Sequence, residues 1–398
     1  MIFETVKWLF ENFLRGWRKW WARKYGLAFR LSDRNDSAPK TRTEAFFSFY
    51  DRQARPGFEE FRRIVNDWVA ELPSKAQAEI IRRFKSGNDL NFDSALTEVI
   101  IHATLLRCGF RVDTHPATPS STGRPDFLLK RRTGQPVAFV EVTTINVPDE
   151  EMGQDGREGL IFDALNKIEI ADDLRLSYGV KAYGKCSPSI KKLRRAIQKW
   201  TSDHADRARR AEHVEDDFPC EDWIFRLSLM AGFSPNPGGR RIAIWGHVTD
   251  APAQALDAVS GLRNALDQKC SKYGELGLPY LIAVFDRTDK VSFLETIFAD
   301  NVAEALFGTE VHQEIMLNSG KTLQQDVRDS DGWFGQIDAP KHTNVSAVLI
   351  FPQVSIWYLK QTRGQPLLVP NPWAQLPIAE EALPFRKLVL TPHSPDEH

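Results

Sequence analysis

Two short segments of the chain place acidic residues where they could bind a divalent metal ion together. The segments are Gly123-Arg124-Pro125-Asp126-Phe127 and Phe139-Val140-Glu141-Val142-Thr143. If Thr133-Gly134 forms a two-residue turn, the strands on either side pair so that Asp126 lies directly opposite Glu141. Facing carboxylates repel each other, and a bound cation removes that repulsion. Mg²⁺, or Mn²⁺ in its place, accepts oxygen ligands of this kind and can activate a water for attack on a phosphate.

Each acid also has a simpler interpretation. A Pro-Asp pair is usually a turn, and a single Glu in a strand usually points to solvent. Glu141, however, stands within the apolar run 137–142, where a solvated carboxylate requires an open face of the sheet. Glu98 is a third acid, on an apolar helix, and it either pairs with His102 or lies beside the metal. The predicted register favours a functional pair at Asp126 and Glu141.

A sheet and two helices are needed to hold these residues. Periodicity and turn residues predict, in chain order, a helix at 93–109 capped by Asp93 or Ser94, strands at 110–114, 126–130 and 137–145, a helix at 253–273 and a strand at 280–285. A helix of about 15 to 20 residues followed by a buried strand is typical of a βαβ crossover. The order predicts an α/β protein.

The rest of the chain is predicted to form segments around this core. They are an amphipathic, basic, Trp-rich helix at 1–31, a helical segment at 44–90, the core at 91–290 with an insertion at 146–253, and a β-rich extension at 291–398 that packs on the core. Within the insertion, the patterns predict helices at 160–176 and 189–213 and strands at 223–229 and 241–248.

Charge is balanced over the whole chain but segregated locally. The 52 Lys and Arg nearly equal the 53 Asp and Glu, so net charge alone does not indicate a polyanionic partner. Residues 179–213, by contrast, contain ten Lys or Arg and three acids. Such a block is often a solvated helix face, but in a nuclease it is a candidate for contact with phosphates. The candidate nucleic-acid contacts are Lys191, Lys192, Arg194, Arg195, Lys199 and Arg124.

Cysteine usage and hydropathy bear on the compartment. The four cysteines, Cys108, Cys186, Cys220 and Cys270, are widely spaced and include no CxxC pair. This spacing predicts neither a disulfide framework nor a zinc site. The sequence shows no apolar run long enough to span a membrane and no signal-peptide pattern, so we expect a cytoplasmic protein.

The element order and several short motifs together carry a resemblance. The motifs are Phe92-Asp93-Ser94-Ala95-Leu96-Thr97-Glu98, His115-Pro116, the two acidic segments quoted above, Leu266-Asp267-Gln268-Lys269-Cys270-Ser271-Lys272-Tyr273-Gly274 with Pro279-Tyr280, and Pro370-Asn371-Pro372-Trp373-Ala374. The chain resembles the PD-(D/E)xK, restriction-endonuclease-like nuclease superfamily, whose core runs α-β-β-β-α-β, and within it a bacterial subgroup with Thr in place of the motif Lys. The resemblance implies a restriction-endonuclease-like mixed sheet with a helical N-terminal extension, a large insertion and a β-rich C-terminal extension.

The resemblance also implies a divalent-metal phosphodiesterase. Asp126, Glu141 and the carbonyl of Val142 would bind Mg²⁺ or Mn²⁺, and Glu98 matches an acidic position in the first core helix. One position departs from the motif, because Thr143 stands where the family has Lys. In some relatives the Lys comes from the following helix. The candidate substitutes in this chain are Lys269, Lys272, Arg263 and, in the insertion, Lys167.

Three hypotheses follow for function. The first is a metal-dependent nuclease, with DNA as the favoured substrate, whose activity is weak or absent if no residue replaces the missing Lys. The second is a nucleic-acid-binding module that keeps the fold without catalysis. The third is peripheral membrane or protein contact through residues 1–30. A homodimer is left open, as is endonuclease against exonuclease action. A nucleophile elbow and a phosphate loop are both missing from the sequence.

Overall fold

The computed structural model describes residues 27–38, 40–119, 123–145, 157, 159–165, 167–168, 170–171, 173–210, 212–231, 258–286, 295–316, 322–351, 366–379 and 381–389. Most of the predicted helix at 1–31 and the whole predicted strand at 241–248 lie outside these residues. The chain divides into two compact units, one of residues 1–38, 45–146 and 256–398 and the other of 39–44 and 147–255. Among the described residues, no helix combines the length and apolarity needed to cross a membrane.

Four helices precede the first strand in the described part of the first unit. They are α1 (Phe46–Arg52), α2 (Pro56–Ala70), α3 (Ser74–Phe84) and α4 (Asp89–Arg107). The prediction that Asp93 or Ser94 caps the last of them is wrong, since Asn88 accepts a hydrogen bond from the Asn91 amide at 3.0 Å and the helix begins at Asp89. Aromatic side chains pack these helices together, with Phe29, Phe84 and Phe92 almost fully buried.

A seven-stranded mixed sheet forms the centre of the first unit. Its strands are β1 (Arg111–Thr114), β2 (Phe127–Lys130), β3 (Pro136–Ile145), β7 (Tyr280–Asp286), β10 (Ala347–Phe351), β11 (Leu367–Pro370) and β12 (Arg386–Lys387), in the order β1-β2-β3-β7-β10-β11-β12. Strand β2 is antiparallel to both its neighbours, whereas β3, β7 and β10 run parallel. Helix α6 (Ala258–Cys270) precedes β7, so the predicted helix-strand-strand-strand-helix-strand order is present in the chain.

The β2–β3 hairpin has the predicted register around the acids, but its turn differs from the predicted one. The turn is not the two-residue Thr133-Gly134 form, because the Gly134 amide donates to the Arg131 carbonyl and Gly134 takes a left-handed φ of 92°. This is a three-residue loop, which shifts the pairing near the turn by one residue. A bulge between the Leu129 and Lys130 pairings restores it, so that Phe127 faces Val140 as predicted. Asp126, one residue before Phe127, therefore lies at the level of Glu141.

Alternation along β3 divides its side chains between two cores. Phe139 and Ile145 pack with Leu262 and Leu266 of α6 on one face of the sheet. Val140 and Val142 pack on the other face, with residues of α4 such as Ile101 and Leu105. Glu141 and Thr143 share the face of Phe139, so their side chains are directed towards α6.

The sheet extends further along the chain than the predicted core at 91–290. The segment after residue 290 contributes β10, β11 and β12, and β10 pairs directly with β7 from Ala347–Leu281 to Phe351–Phe285. The expected C-terminal extension thus supplies strands to the central sheet in addition to packing on it. It also contains helix α7 (Glu295–Phe307) and the hairpin of β8 (Glu310–Met316) and β9 (Thr322–Arg328).

The second unit is built on a three-stranded antiparallel sheet. Its elements are β4 (Leu174–Ala182), α5 (Ile190–Arg209), β5 (Val214–Cys220) and β6 (Trp223–Ala231), with strand order β4-β6-β5. The predicted helix at 160–176 is wrong in its second half, because helix is assigned at 159–165 and β4 begins at Leu174. Helix α5 packs Leu193, Ile197 and Trp200 on this sheet.

Candidate functional site

Glu141 is a buried carboxylate with three hydrogen-bond donors around it. The side chain is 1% exposed, in the middle of strand β3. Its Oε1 accepts from Lys269 Nζ at 2.8 Å and from Lys272 Nζ at 2.6 Å. Its Oε2 accepts from the Tyr273 hydroxyl at 2.6 Å. Both oxygens of one charged group are thus held by side chains from the end of α6 and the residues that follow it.

These contacts decide the ionisation of Glu141. Burial opposes the charged form, but the hydrogen bonds from Lys269, Lys272 and Tyr273 outweigh it and hold the pKa of Glu141 below its ordinary value. Burial, with the neighbouring Glu141 charge, raises the pKa of Tyr273 far above its usual range. Glu141 is therefore an anion at neutral pH, facing a neutral phenol and two ammonium groups.

Asp126 lies one residue before β2, and its pKa is shifted in the opposite direction to that of Glu141. Its Oδ2 accepts a hydrogen bond from the Val142 amide at 2.7 Å, which ties it to the strand that carries Glu141. Burial, followed by the charges of Glu141 and Glu98, raises the pKa of Asp126 to about 7. The structure thus brings the two predicted acids together in a site where one is firmly ionised and the other is protonated up to neutral pH.

Glu98 contributes to the electrostatics of the site, but its ion pair is directed elsewhere. It pairs with Arg83 of α3 at 2.8 Å, not with His102, which corrects the predicted i, i+4 pair. Burial is the main reason why the pKa of Glu98 is raised, although Arg83 opposes it. His102 is 1% exposed, and burial lowers its pKa to about 4, so the ring is neutral. Within the described ranges, the one group of three potential ligands within 4.8 Å of one another lies elsewhere, at Asp267, Cys270 and His342.

The four cations predicted as substitutes for the motif Lys have different positions. Lys269 and Lys272 both contact Glu141. Arg263 donates instead to the Ala305 and Glu304 carbonyls at the end of α7 and pairs with Asp331. Lys167 belongs to the second unit. Thr143 itself is 8% exposed and pairs with Val284 of β7, so it is held within the sheet.

The remaining predicted contacts are distributed over two places. Arg124, just before Asp126, is exposed. On α5, Lys191, Lys192, Arg195 and Lys199 are exposed, although Lys199 pairs with Asp203 at 2.6 Å. Arg194 is half-buried and donates to the Lys167 carbonyl at 3.1 Å, so it is directed towards its own unit and not outward as predicted. Four of the five side chains predicted for the basic face of α5 are therefore exposed.

Tyr273 is part of a motif that carries the resemblance, but the sequence assigned it no role. Tyr273 lies four residues after Lys269, and a helix brings side chains at this spacing near one another. This spacing could have indicated that Tyr273 lies beside the candidate lysine. The contact between this segment and Glu141, 132 residues before Tyr273, had no local signal in the sequence.

Comparisons with protein-family models, curated proteins and solved structures find no match for this chain. Its fold and site define a mixed α/β protein in which the buried Glu141 of a central sheet, beside the partly buried Asp126, contacts two lysines from the end of α6 and the residues that follow it.

Proposed function

We propose that the protein is a divalent-metal-dependent nuclease that hydrolyses phosphodiester bonds in nucleic acid, with DNA as the favoured substrate. The observation that carries the proposal is the contact of Lys269 Nζ with the buried Glu141 carboxylate at 2.8 Å, beside Asp126 in the hairpin register. Thr143 leaves the motif without its cation, and Lys269 supplies one from the following helix. Two acids and a lysine beside one another are the set that the resemblance implies for metal-dependent hydrolysis of a phosphodiester.

The topology supports the finer assignment to the restriction-endonuclease-like class. Helix α4, strands β1, β2 and β3, helix α6 and strand β7 follow one another as the resemblance implies. Strands β1, β2, β3 and β7 are also adjacent in that order in the sheet. The second unit occupies the interval between β3 and α6, which leaves the proposed core contiguous in space although it is interrupted in sequence.

The chemistry of the donors fits a hard divalent cation. Asp126 and Glu141 would hold the ion, which when bound would acidify a water and neutralise charge on the phosphate. Burial and the neighbouring negative charges raise the pKa of Asp126 to about 7. A bound cation would relieve the repulsion between the two adjacent carboxylates. Lys269 and Lys272 share one oxygen of Glu141, so one ammonium can stay on the carboxylate while the other contacts a phosphate oxygen.

The first experiment is a cleavage assay with purified protein, linear and circular DNA, and Mg²⁺ or Mn²⁺. We expect Asp126→Asn and Glu141→Gln to abolish cleavage. Asp113→Asn is the matched control, because Asp113 is an exposed carboxylate on the neighbouring β1 and pairs with Lys130. Absence of metal-dependent cleavage of both DNA and RNA by the parent protein, or equal cleavage by Asp126→Asn, would refute the proposal.

A second function, nucleic-acid binding without catalysis, is favoured by a separate observation. Three donors already contact Glu141, two on Oε1 and one on Oε2, which leaves an ion only one of the about four acceptor sites of the carboxylate. The exposed basic residues of α5 could then carry binding on their own. This function predicts salt-sensitive binding that Arg195→Glu weakens and Asp126→Asn leaves unchanged. Detection of metal-dependent cleavage would exclude it.

A further inference from the structure

A second group of metal-ligating side chains lies on α6, apart from the carboxylate pair. Asp267 and Cys270 are one helical turn apart, and His342 approaches them from the loop before β10. One ligand atom from each residue lies within 4.8 Å of the others. The sequence predicted no zinc site, because the four cysteines are widely spaced and include no CxxC pair. The fold brings His342 to Cys270 from a distant part of the sequence.

The spacing between the three residues fits ligands of one ion better than direct contact. His342 Nε2 lies 3.9 Å from Asp267 Oδ1, which is too long for a hydrogen bond. Bond lengths of about 2.0 to 2.3 Å place the ligand atoms of a tetrahedral zinc ion roughly 3.4 to 3.8 Å apart. Cys270 Sγ makes a weak donor contact, at 3.5 Å, to the Asp267 carbonyl.

Neighbouring side chains already fix the orientation of these ligands. Trp333 Nε1 donates to Asp267 Oδ1 at 2.7 Å, and the His342 ring stacks on the Trp333 ring with centroids 4.0 Å apart and planes at 9°. Asn344 Nδ2 donates to the Cys270 carbonyl at 2.6 Å. Metal ligands in proteins are usually held by such outer contacts, which lower the cost of ordering them.

We propose that Asp267, Cys270 and His342 bind a thiophilic divalent cation of the Zn²⁺ class, with solvent in the fourth position. A thiolate and an imidazole select such an ion over Mg²⁺, which prefers oxygen ligands. The site therefore differs in chemistry from the one at Asp126 and Glu141. On binding, the Cys270 S–H bond breaks, its proton passes to solvent and the sulfur–metal bond forms, without any redox change.

The position of the ion would affect the residues that hold Glu141. Cys270 is the last residue of α6 and is adjacent to Lys269, while Lys272 and Tyr273 follow it closely. A metal at Cys270 would tie this end of the helix to the loop that carries His342. This metal site does not depend on nuclease activity, since its three residues lie outside the carboxylate pair.

The test uses Co²⁺ as a spectroscopic substitute for Zn²⁺, titrated into chelator-treated full-length protein. We expect one equivalent to bind with thiolate-to-cobalt charge-transfer absorption, and Zn²⁺ but not Mg²⁺ to abolish the signal. Cys270→Ser should eliminate it, and His342→Ala should weaken binding by at least about tenfold. Cys186→Ser is the matched control, because Cys186 is an exposed thiol of the second unit.

Cys270 is buried, so Cys270→Ser could prevent folding. Asp267→Asn then provides a second test, since Asp267 is exposed. It should shift the absorption and weaken Co²⁺ binding while circular dichroism stays unchanged. Parent protein without the charge-transfer signal would overturn the proposal. So would retention of the signal in Cys270→Ser, or its loss in Asp126→Asn, which would place the ion at the carboxylate pair.

Discussion

Replacing Asp126 by Asn should stabilise the protein, and the gain should grow as the pH rises. The pKa of Asp126 is raised to about 7 in the folded protein, mainly by burial, against about 4 in an unfolded chain. Between these values the unfolded chain has released the proton and the folded protein has kept it, so stability falls with rising pH. Three pH units at about 1.4 kcal/mol each amount to about 4 kcal/mol by about pH 8.

Asn is a close match for the protonated carboxyl group at this position. Its side-chain carbonyl can still accept from the Val142 amide, now 2.7 Å from Asp126 Oδ2, and it carries no charge to bury. We therefore expect the difference in free energy of unfolding between Asp126→Asn and the parent to widen by about 2 to 3 kcal/mol from about pH 5 to about pH 8.

The measurement is urea denaturation in the presence of a chelator, combined with hydrogen exchange of β3 amides. Exchange is needed because the chain has two units, and β3 reports on the unit that contains the site. A difference that stays constant from about pH 5 to about pH 8 would refute the reasoning. An equal widening in Asp113→Asn would attribute the effect to net charge instead of burial.

The other predictions concern the contacts of Glu141 and metal binding. Lys269→Met should destabilise the protein by about 2 kcal/mol in urea denaturation, and more than Lys272→Met, because Lys269 is the less exposed of the two (23% against 42%). An equal effect of both would contradict this ranking. Tyr273→Phe should cost about 2 kcal/mol and raise the pKa of Glu141, measurable by carbon NMR of its carboxyl, since a hydrogen bond to a buried anion is lost. Mg²⁺ at millimolar concentration should raise the melting temperature of the parent but not of Asp126→Asn, and a rise in both would place Mg²⁺ elsewhere.

Local patterns in the sequence were enough to predict the elements that hold the acids. The apolar run at 137–142 identified β3, and the turn residues identified the hairpin, so Asp126 and Glu141 were placed together. The second half of the predicted helix at 160–176 failed because the alternation of β4, with buried Leu174 and Leu176, begins there.

Contacts between distant parts of the chain could not be predicted in the same way. Nothing local indicates that Arg83 will reach Glu98, or that Lys272 and Tyr273 will join Lys269 at Glu141. These contacts depend on how helices pack on the sheet, and that packing is fixed by the whole core. The bulge in β3 is another example, because turn preference alone favours the simpler loop.

Because of the bulge, the two sides of the hairpin should differ in how well they tolerate insertions and deletions. Val137 lies between Pro136, which pairs with Lys130, and Ala138, which pairs with Leu129, and has no pairing partner of its own in the β2–β3 ladder. Deleting Val137, or exchanging the loop for a two-residue turn, should leave every pairing from Leu129 onward intact. One residue inserted between Ala138 and Glu141 should instead turn the carboxylate to the opposite face of the sheet, away from Lys269. Insertions and deletions among related chains should therefore collect on the turn side of the bulge and be excluded from the other side.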